Sequence, residues 1–294
     1  MFLNKGKIVT IAIICSMVLM IFITDTSSLA CKEKKVSHSS NISWDGNIIV
    51  HRGYYAAPQN SLQSLLDAKK NGFTMCEVDP RESSDGVIIM NHDKTFLSGG
   101  EEYVISETES DVLLSLNNGN DRYPDTSLCT LDEMLEVCRY SGMKLKIDQK
   151  IKDSDFEKKV LRHVMDYGMQ DKCIFTCVAV TYAKAIKETY PGASCSLNYE
   201  KLSQEKSLDK YTSSSDMYAE IPVSEIDQYS LEILKKEAER GYKIYVYDVS
   251  HQEIEVALKA HPVSIEPVSG EEKYDFMALI SDYARDRYDY LDWD

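Results

Sequence analysis

Seven residues between positions 51 and 150 are of the types that move protons, hold cations or grip phosphate, and they come in short groups. His51-Arg52-Gly53 closes one apolar run. Glu77 and Asp79 stand two apart at the end of the next, Asn91-His92-Asp93 follows a third, and Asp148 and Lys150 stand two apart after a fourth. Residues two apart on a strand face the same way, so each pair presents both side chains to one side. Three carboxylates, Glu77, Asp79 and Asp148, make a hard oxygen set suited to one divalent cation, Ca2+ or Mg2+. A cation there polarises phosphoryl oxygens and offsets developing negative charge. Arg52 can take a phosphate in forked geometry, and Lys150 supplies a point charge. Histidine is the side chain whose ordinary charge change lies nearest neutral pH, so of His51 and His92 one can accept a proton from a nucleophile while the other donates to a leaving oxygen. Singly, each group has a commonplace reading: a strand-end histidine is usually structural, and Asp85-Gly86 alone is a turn signal. Together, and in this order, they point at a phosphodiester.

Short apolar runs alternating with helix-period segments must position these groups. Strands are expected at 47–50, 73–79, 86–91, 143–148, 173–178, 193–197, 217–221, 242–249 and 263–265. Helices are expected at 61–71, 130–140, 181–190, 230–240 and 252–260, the second opened by the capping-box pattern from Thr130 to Glu133. This repeated order predicts an α/β fold with a parallel sheet, closed as a (β/α)8 TIM barrel whose strand ends converge on one face. Nine candidate strands compete for eight places, so one assignment belongs outside the barrel. The segment 94–127 has no clear period and reads as a long loop insertion.

The barrel is expected at 47–270, preceded by a leader at 1–30 and a polar linker at 31–46, and followed by an acidic, aromatic-bearing tail or closing helix at 271–294. Lys5 and Lys7, the apolar run 8–23 and Ser28-Leu29-Ala30 are the three regions of a secretory signal. Uncleaved, the apolar run would be a membrane anchor, and Cys31 also raises a lipid-modified cysteine. Every version puts the body outside the cytoplasm, secreted or at the cell surface. A net charge of −15 argues against a nucleic-acid partner and requires an anionic substrate to be attracted locally. The cysteines after residue 30 are odd in number and widely spread. Cys76 and Cys195 read as small buried hydrophobes, and a zinc site on Cys173 and Cys177 is disfavoured.

The same residues carry a resemblance to the glycerophosphodiester phosphodiesterase family. That family's opening pattern runs His-Arg-Gly, Pro-Glu-Asn-Thr, a helix, Glu-x-Asp, Asp-Gly and His-Asp. The chain is similar at His51-Arg52-Gly53, Pro58-Gln59-Asn60-Ser61, Glu77-Val78-Asp79, Asp85-Gly86 and His92-Asp93. The later Glu-x-Lys resembles Asp148-Gln149-Lys150, and the final Trp-Thr-Val-Asn resembles Tyr247-Asp248-Val249-Ser250. The resemblance implies a TIM barrel that hydrolyses glycerophosphodiesters, or a polyglycerol phosphate, to glycerol 3-phosphate and an alcohol. It implies His51 and His92 as the acid–base pair, Glu77, Asp79 and Asp148 as metal ligands, and Arg52 and Lys150 as phosphate contacts. Gln59, Asp148 and Tyr247 depart from the usual Glu, Glu and Trp. Alternatives are a phospholipase D-like or cyclising phosphodiesterase on lipid head groups, or a barrel that binds a phosphorylated surface polymer without turnover.

Overall fold

Eight parallel strands close on one another. The structure, a computed structural model, describes residues 47–204 and 216–273; the expected leader, the linker and most of the acidic tail lie outside them. Among the described residues no helix is long and apolar enough to cross a membrane. In chain order the elements are β1 (Asn47–Val50), α1 (Leu62–Lys70), β2 (Met75–Val78), β3 (Pro80–Glu82), β4 (Ile88–Met90), β5 (Thr95–Ser98), β6 (Glu101–Val104), α2 (Ser110–Ser115), α3 (Leu131–Ser141) and β7 (Lys144–Asp148). There follow α4 (Ser154–Asp166), β8 (Cys173–Thr176), α5 (Val180–Thr189), β9 (Ser194–Asn198), α6 (Tyr199–Gln204), β10 (Met217–Pro222), α7 (Gln228–Glu239), β11 (Lys243–Val249), α8 (Ile254–Leu258) and β12 (Ser264–Pro267). Around the barrel the order is β1, β12, β11, β10, β9, β8, β7, β2.

The surplus strand is 86–91. Its core, β4, pairs antiparallel with β3 and not with the barrel, so the stretch from Pro80 to Met90 is a hairpin excursion between β2 and α3. Once β2 and β7 are bonded along four residue pairs, no barrel edge remains for β4. The expected insertion at 94–127 has structure of its own, a β5–β6 hairpin and the short α2. Helix α4 has no counterpart in the expected set. Its signals are present, however: the Asp153 side chain accepts from the Asp155 backbone, and Phe156, Val160, Leu161 and Val164 recur at helical spacing on a buried face.

Local chemistry fixes the helix starts. Ser61 Oγ accepts from Ser64 N to open α1, and Thr130 and Glu133 form both halves of the expected capping box on α3, each cap contributing about 1 kcal/mol. Alternation along the strands then sorts the core into two parts. Cys76, Val78, Leu145, Ile147, Phe175 and Cys195 pack outward against the helices in the main cluster. Ile49, Met75, Ile174 and Tyr245 form a separate plug, with Tyr218 and Tyr247 against it, inside the barrel. The next inward residues along β1, β2 and β7 are therefore His51, Glu77 and Lys146 with Asp148. Six described cysteines, Cys76, Cys129, Cys138, Cys173, Cys177 and Cys195, are buried and free, as expected of small hydrophobes.

Candidate active site

The turn after β1 starts the site. Arg52 and Gly53 both take positive φ, 56° and 82°, a conformation that costs a non-glycine residue energy and persists only where neighbours hold it. Here Arg52 O accepts from Asn60 N at 2.9 Å, and Tyr54 N donates to Ser64 O at 3.0 Å. Gly53 has no substitute, since a Cβ there would stand 2.2 Å from Ser64 Oγ. The turn aims Arg52 N at Glu77 Oε2, 3.0 Å away, and brings Arg52 Nε within 3.5 Å of Asp79 Oδ2. The guanidinium also donates from Nη1 to Gln59 Oε1 at 3.1 Å.

At the end of β2 both carboxylates are buried, Glu77 2% and Asp79 0% exposed. Asn60 grips Asp79 twice: Nδ2 donates to Oδ2 at 2.7 Å, and Oδ1 accepts from Asp79 N at 2.9 Å. Lys150 Nζ lies 3.0 Å from Asp79 Oδ1 and 2.5 Å from Asp148 Oδ2. His51 Nε2 stands 3.9 Å from both Glu77 Oε2 and Glu266 Oε1. Six of the seven expected residues thus form one network. His92 is outside it: its ring Nδ1 is 2.8 Å from Asp93 Oδ1, and its backbone carbonyl accepts from Arg81 Nε at 2.9 Å. The ring hangs from the β3–β4 excursion, not from a barrel strand as the sequence implied.

Burial, then the neighbouring Asp79, Glu266 and Asp148, push the Glu77 carboxyl well above the usual range. Burial also pushes Asp79 up, but Lys150 and the hydrogen bonds from Asn60 and Lys150 outweigh it and hold Asp79 below that range. Burial lowers His51, against the opposing pull of Glu266.

One ligand atom from each of Glu77, Asp79 and Asp148 lies within 4.8 Å of the others, so the group could hold a metal ion. Asp148 belongs to it although its side chain is one methylene shorter than the family's usual Glu. Glu77 Oε1 is buried with no hydrogen-bond partner. An orphaned acceptor amid like charges is the arrangement a cation completes, so a divalent ion fits these residues. The set His51, Glu77 and Glu266 meets the same distance condition, whereas no cysteine joins such a group among the described residues.

The sequence reading passed over four residues here. Asn60 lay in a quoted motif without a role. Lys146, Glu220 and Glu266 are buried charges on β7, β10 and β12. Lys146 carried a local signal, since Lys144, Lys146, Asp148 and Lys150 alternate along one strand. Glu266 sits one residue beyond the expected last strand and meets His51 only because the barrel closes β12 against β1.

The model of the glycerophosphoryl diester phosphodiesterase family matches residues 51–283. The chain belongs to that family. Glycerophosphodiester phosphodiesterase 1 of Mus musculus is 32% identical over 109 residues, 35% of this chain and 33% of that protein, and the Homo sapiens protein is 30% identical over the same length. The matched region thus spans about a third of these curated relatives. Among solved structures, an Oleispira antarctica phosphodiesterase in complex with the product sn-glycerol-3-phosphate superposes with a TM-score of 0.67 at 20% identity, covering 81% of this chain and 96% of that one. A Thermotoga maritima glycerophosphodiester phosphodiesterase gives 0.61 at 20%, covering 83% and 100%. At such identities the likeness establishes the barrel fold.

Proposed function

We propose that the protein is a metal-dependent phosphodiesterase that hydrolyses glycerophosphodiesters to sn-glycerol 3-phosphate and an alcohol. The observation that carries this reading is the Glu77–Asp79–Asp148 group with its orphaned Glu77 oxygen, set beside Arg52 and Lys150 at the mouth of a family barrel. The product in the Oleispira antarctica complex supports the substrate class.

A Ca2+ or Mg2+ ion on the three carboxylates would supply the positive charge that offsets the phosphate's own. Arg52 and Lys150 bind and orient the phosphate, the first with its forked donors and the second as a point charge. His51 and His92 form the proton-transfer pair: water attacks phosphorus, one ring takes its proton, and the other protonates the departing alkoxide. His92 rides on the β3–β4 excursion, so in this reading that loop has to bring the second ring to the substrate. With its leader the protein works outside the cytoplasm, on head-group diesters or polyglycerol phosphate.

Incubation with glycerophosphocholine, glycerophosphoethanolamine and polyglycerol phosphate tests the reading directly. Glycerol 3-phosphate should appear with Ca2+ or Mg2+ and vanish in chelator. A cyclic phosphate product, or full turnover in excess chelator, would defeat it. His51→Ala and His92→Ala should each lower kcat on the order of 100-fold or more while metal affinity holds.

A further inference from the structure

The second ring of the proposed pair sits on a stretch that core packing does not hold. Residues 91–95 run from the end of β4 into β5, and none of the five is buried. The side chains of His92 and Asp93 are 36% and 78% exposed. A ring that wanders is of little use in proton transfer, because misplacement by about 1 Å costs on the order of 100-fold in rate. With no apolar anchor in this stretch, whatever fixes His92 must be polar.

Hydrogen bonds to the main chain supply that fixing. Asn91 N donates to Asp79 O at 2.9 Å, and Asn91 Nδ2 donates to Asp93 O at 2.8 Å and to Thr95 O at 3.2 Å. Between these points Arg81 grips the residue that carries the ring: its Nε and Nη2 both donate to the His92 carbonyl, at 2.9 and 2.5 Å. One guanidinium thereby fills both lone pairs of that oxygen with charge-assisted bonds. The ring rests Nδ1 against Asp93 Oδ1 at 2.8 Å, which leaves Nε2 as the nitrogen able to meet a substrate oxygen. Arg81 has two competing uses, since it stands two residues from Asp79 and within the field of that carboxylate. It could steady the metal ligands, or it could bind phosphate. The ion pairs to Asp79 come from Arg52 and Lys150 instead. The Nε–Nη2 edge, which would fork onto a phosphate, is spent on one carbonyl.

We propose that Arg81 is a positioning residue for His92: its clamp on the main-chain carbonyl fixes the loop 91–95 and, through it, the reach of the ring toward substrate. Glu77, Asp79 and Arg81 follow one another at two-residue intervals. One short stretch of chain therefore delivers two carboxylates to the candidate ion site and the clamp to the second ring. Asn91 adds to the same link, because the carbonyl its backbone holds is that of Asp79. The ring's part in proton transfer rests on the phosphodiesterase reading above; the clamp does not.

The test is a double-mutant cycle on the full chain, with glycerophosphocholine as substrate and CaCl2 or MgCl2 present. Arg81→Met should lower kcat roughly 10-fold to 100-fold with KM little changed. In a His92→Ala background the same substitution should change kcat by less than about 2-fold, because the ring it positions is gone. Arg81→Lys, which keeps the charge and some of the donors, should recover part of the loss; it also carries the cycle if Arg81→Met does not fold. Calorimetry with CaCl2 or MgCl2 should give the wild-type ion affinity in both Arg81 variants. Equal losses of kcat in the two backgrounds would show that Arg81 acts independently of His92 and overturn the proposal. So would a rise in KM at constant kcat, which would make Arg81 a phosphate contact, or a loss of ion affinity, which would tie it to the metal ligands. Backbone 15N relaxation reads the clamp without turnover. Order parameters at 92–94 should stand near about 0.85 in the wild type and fall toward about 0.6 in Arg81→Met. Unchanged order parameters would sink the clamp whatever the activity. A wild type that cleaves no glycerophosphodiester, yet whose loop loosens in Arg81→Met, would refute the phosphodiesterase reading and leave the clamp standing.

Discussion

Two strand ends carry the same sequence device, and the barrel treats them differently. β2 ends in Glu77 and Asp79, β7 in Asp148 and Lys150, each a pair two residues apart facing inward. The β2 pair is built in from outside its own strand: Arg52 N donates to Glu77, and Asn60 clamps Asp79 through both side chain and backbone. The β7 pair is wetter and less held from outside, although Lys150 also reaches across to Asp79 Oδ1 at 3.0 Å. The Asp148 side chain is 25% exposed and pairs with Lys150, two residues on. Carboxylates immobilised by other elements are already arranged for an ion, whereas a local pair can turn toward ion or substrate. Under the proposed function, the difference would put metal affinity chiefly on β2 and adjustment to phosphate chiefly on β7.

The largest expected effect tests the β2 side. Glu77→Gln and Asp79→Asn should each weaken Ca2+ or Mg2+ binding on the order of 100-fold or more, read by calorimetry. Wild-type affinity in either would end the claim that this pair dominates. On β7, Asp148→Asn should cost about 10-fold in metal affinity, as expected where one of three anionic ligands is replaced by a neutral one. Asp148→Glu sharpens the comparison: tighter metal binding means the aspartate was short of the ion, and slower turnover with a crowded site means the strand had already adapted. Lys150→Met should leave the metal in place and raise KM several-fold, because it removes phosphate charge without removing a ligand. Loss of the metal in that variant would show the two strand ends to be one unit.

The smallest effect lies behind β7. Gln149 faces outward there, buried beside Glu157 of α4, and burial pushes the Glu157 carboxyl up to about 9. Its folded form therefore keeps a proton that the unfolded chain, titrating near the ordinary 4.5, gives up. Between those two values the folded state binds more protons than the unfolded one, so this group's contribution to stability falls as pH rises from about 4.5 to about 9. Glu157→Gln removes that loss. Its Tm should match the wild type near pH 5 and exceed it by a few degrees near pH 9. A constant difference across that range would mean Glu157 is ionised in the folded protein.

The parts of the molecule governed by local rules were readable in the residues themselves. Period-two alternation marked β2 and β7 and put each functional pair on one face. Caps marked α1 and α3, and the count of strand–helix units pointed to a closed parallel barrel. Helix α4 was readable too, from Asp153 and its apolar spacing, but was passed over. What only the tertiary structure decided depends on which strands become neighbours. β4 satisfies every local criterion for a strand, yet it pairs with β3 because β2 and β7 are already bonded, and His92 thereby comes off an excursion. Glu266 meets His51 across 215 residues of chain because the last strand closes on the first. Lys146, Glu220 and Glu266 read singly as surface charges, and only closure of the barrel gives each the opposite charge that makes its burial affordable.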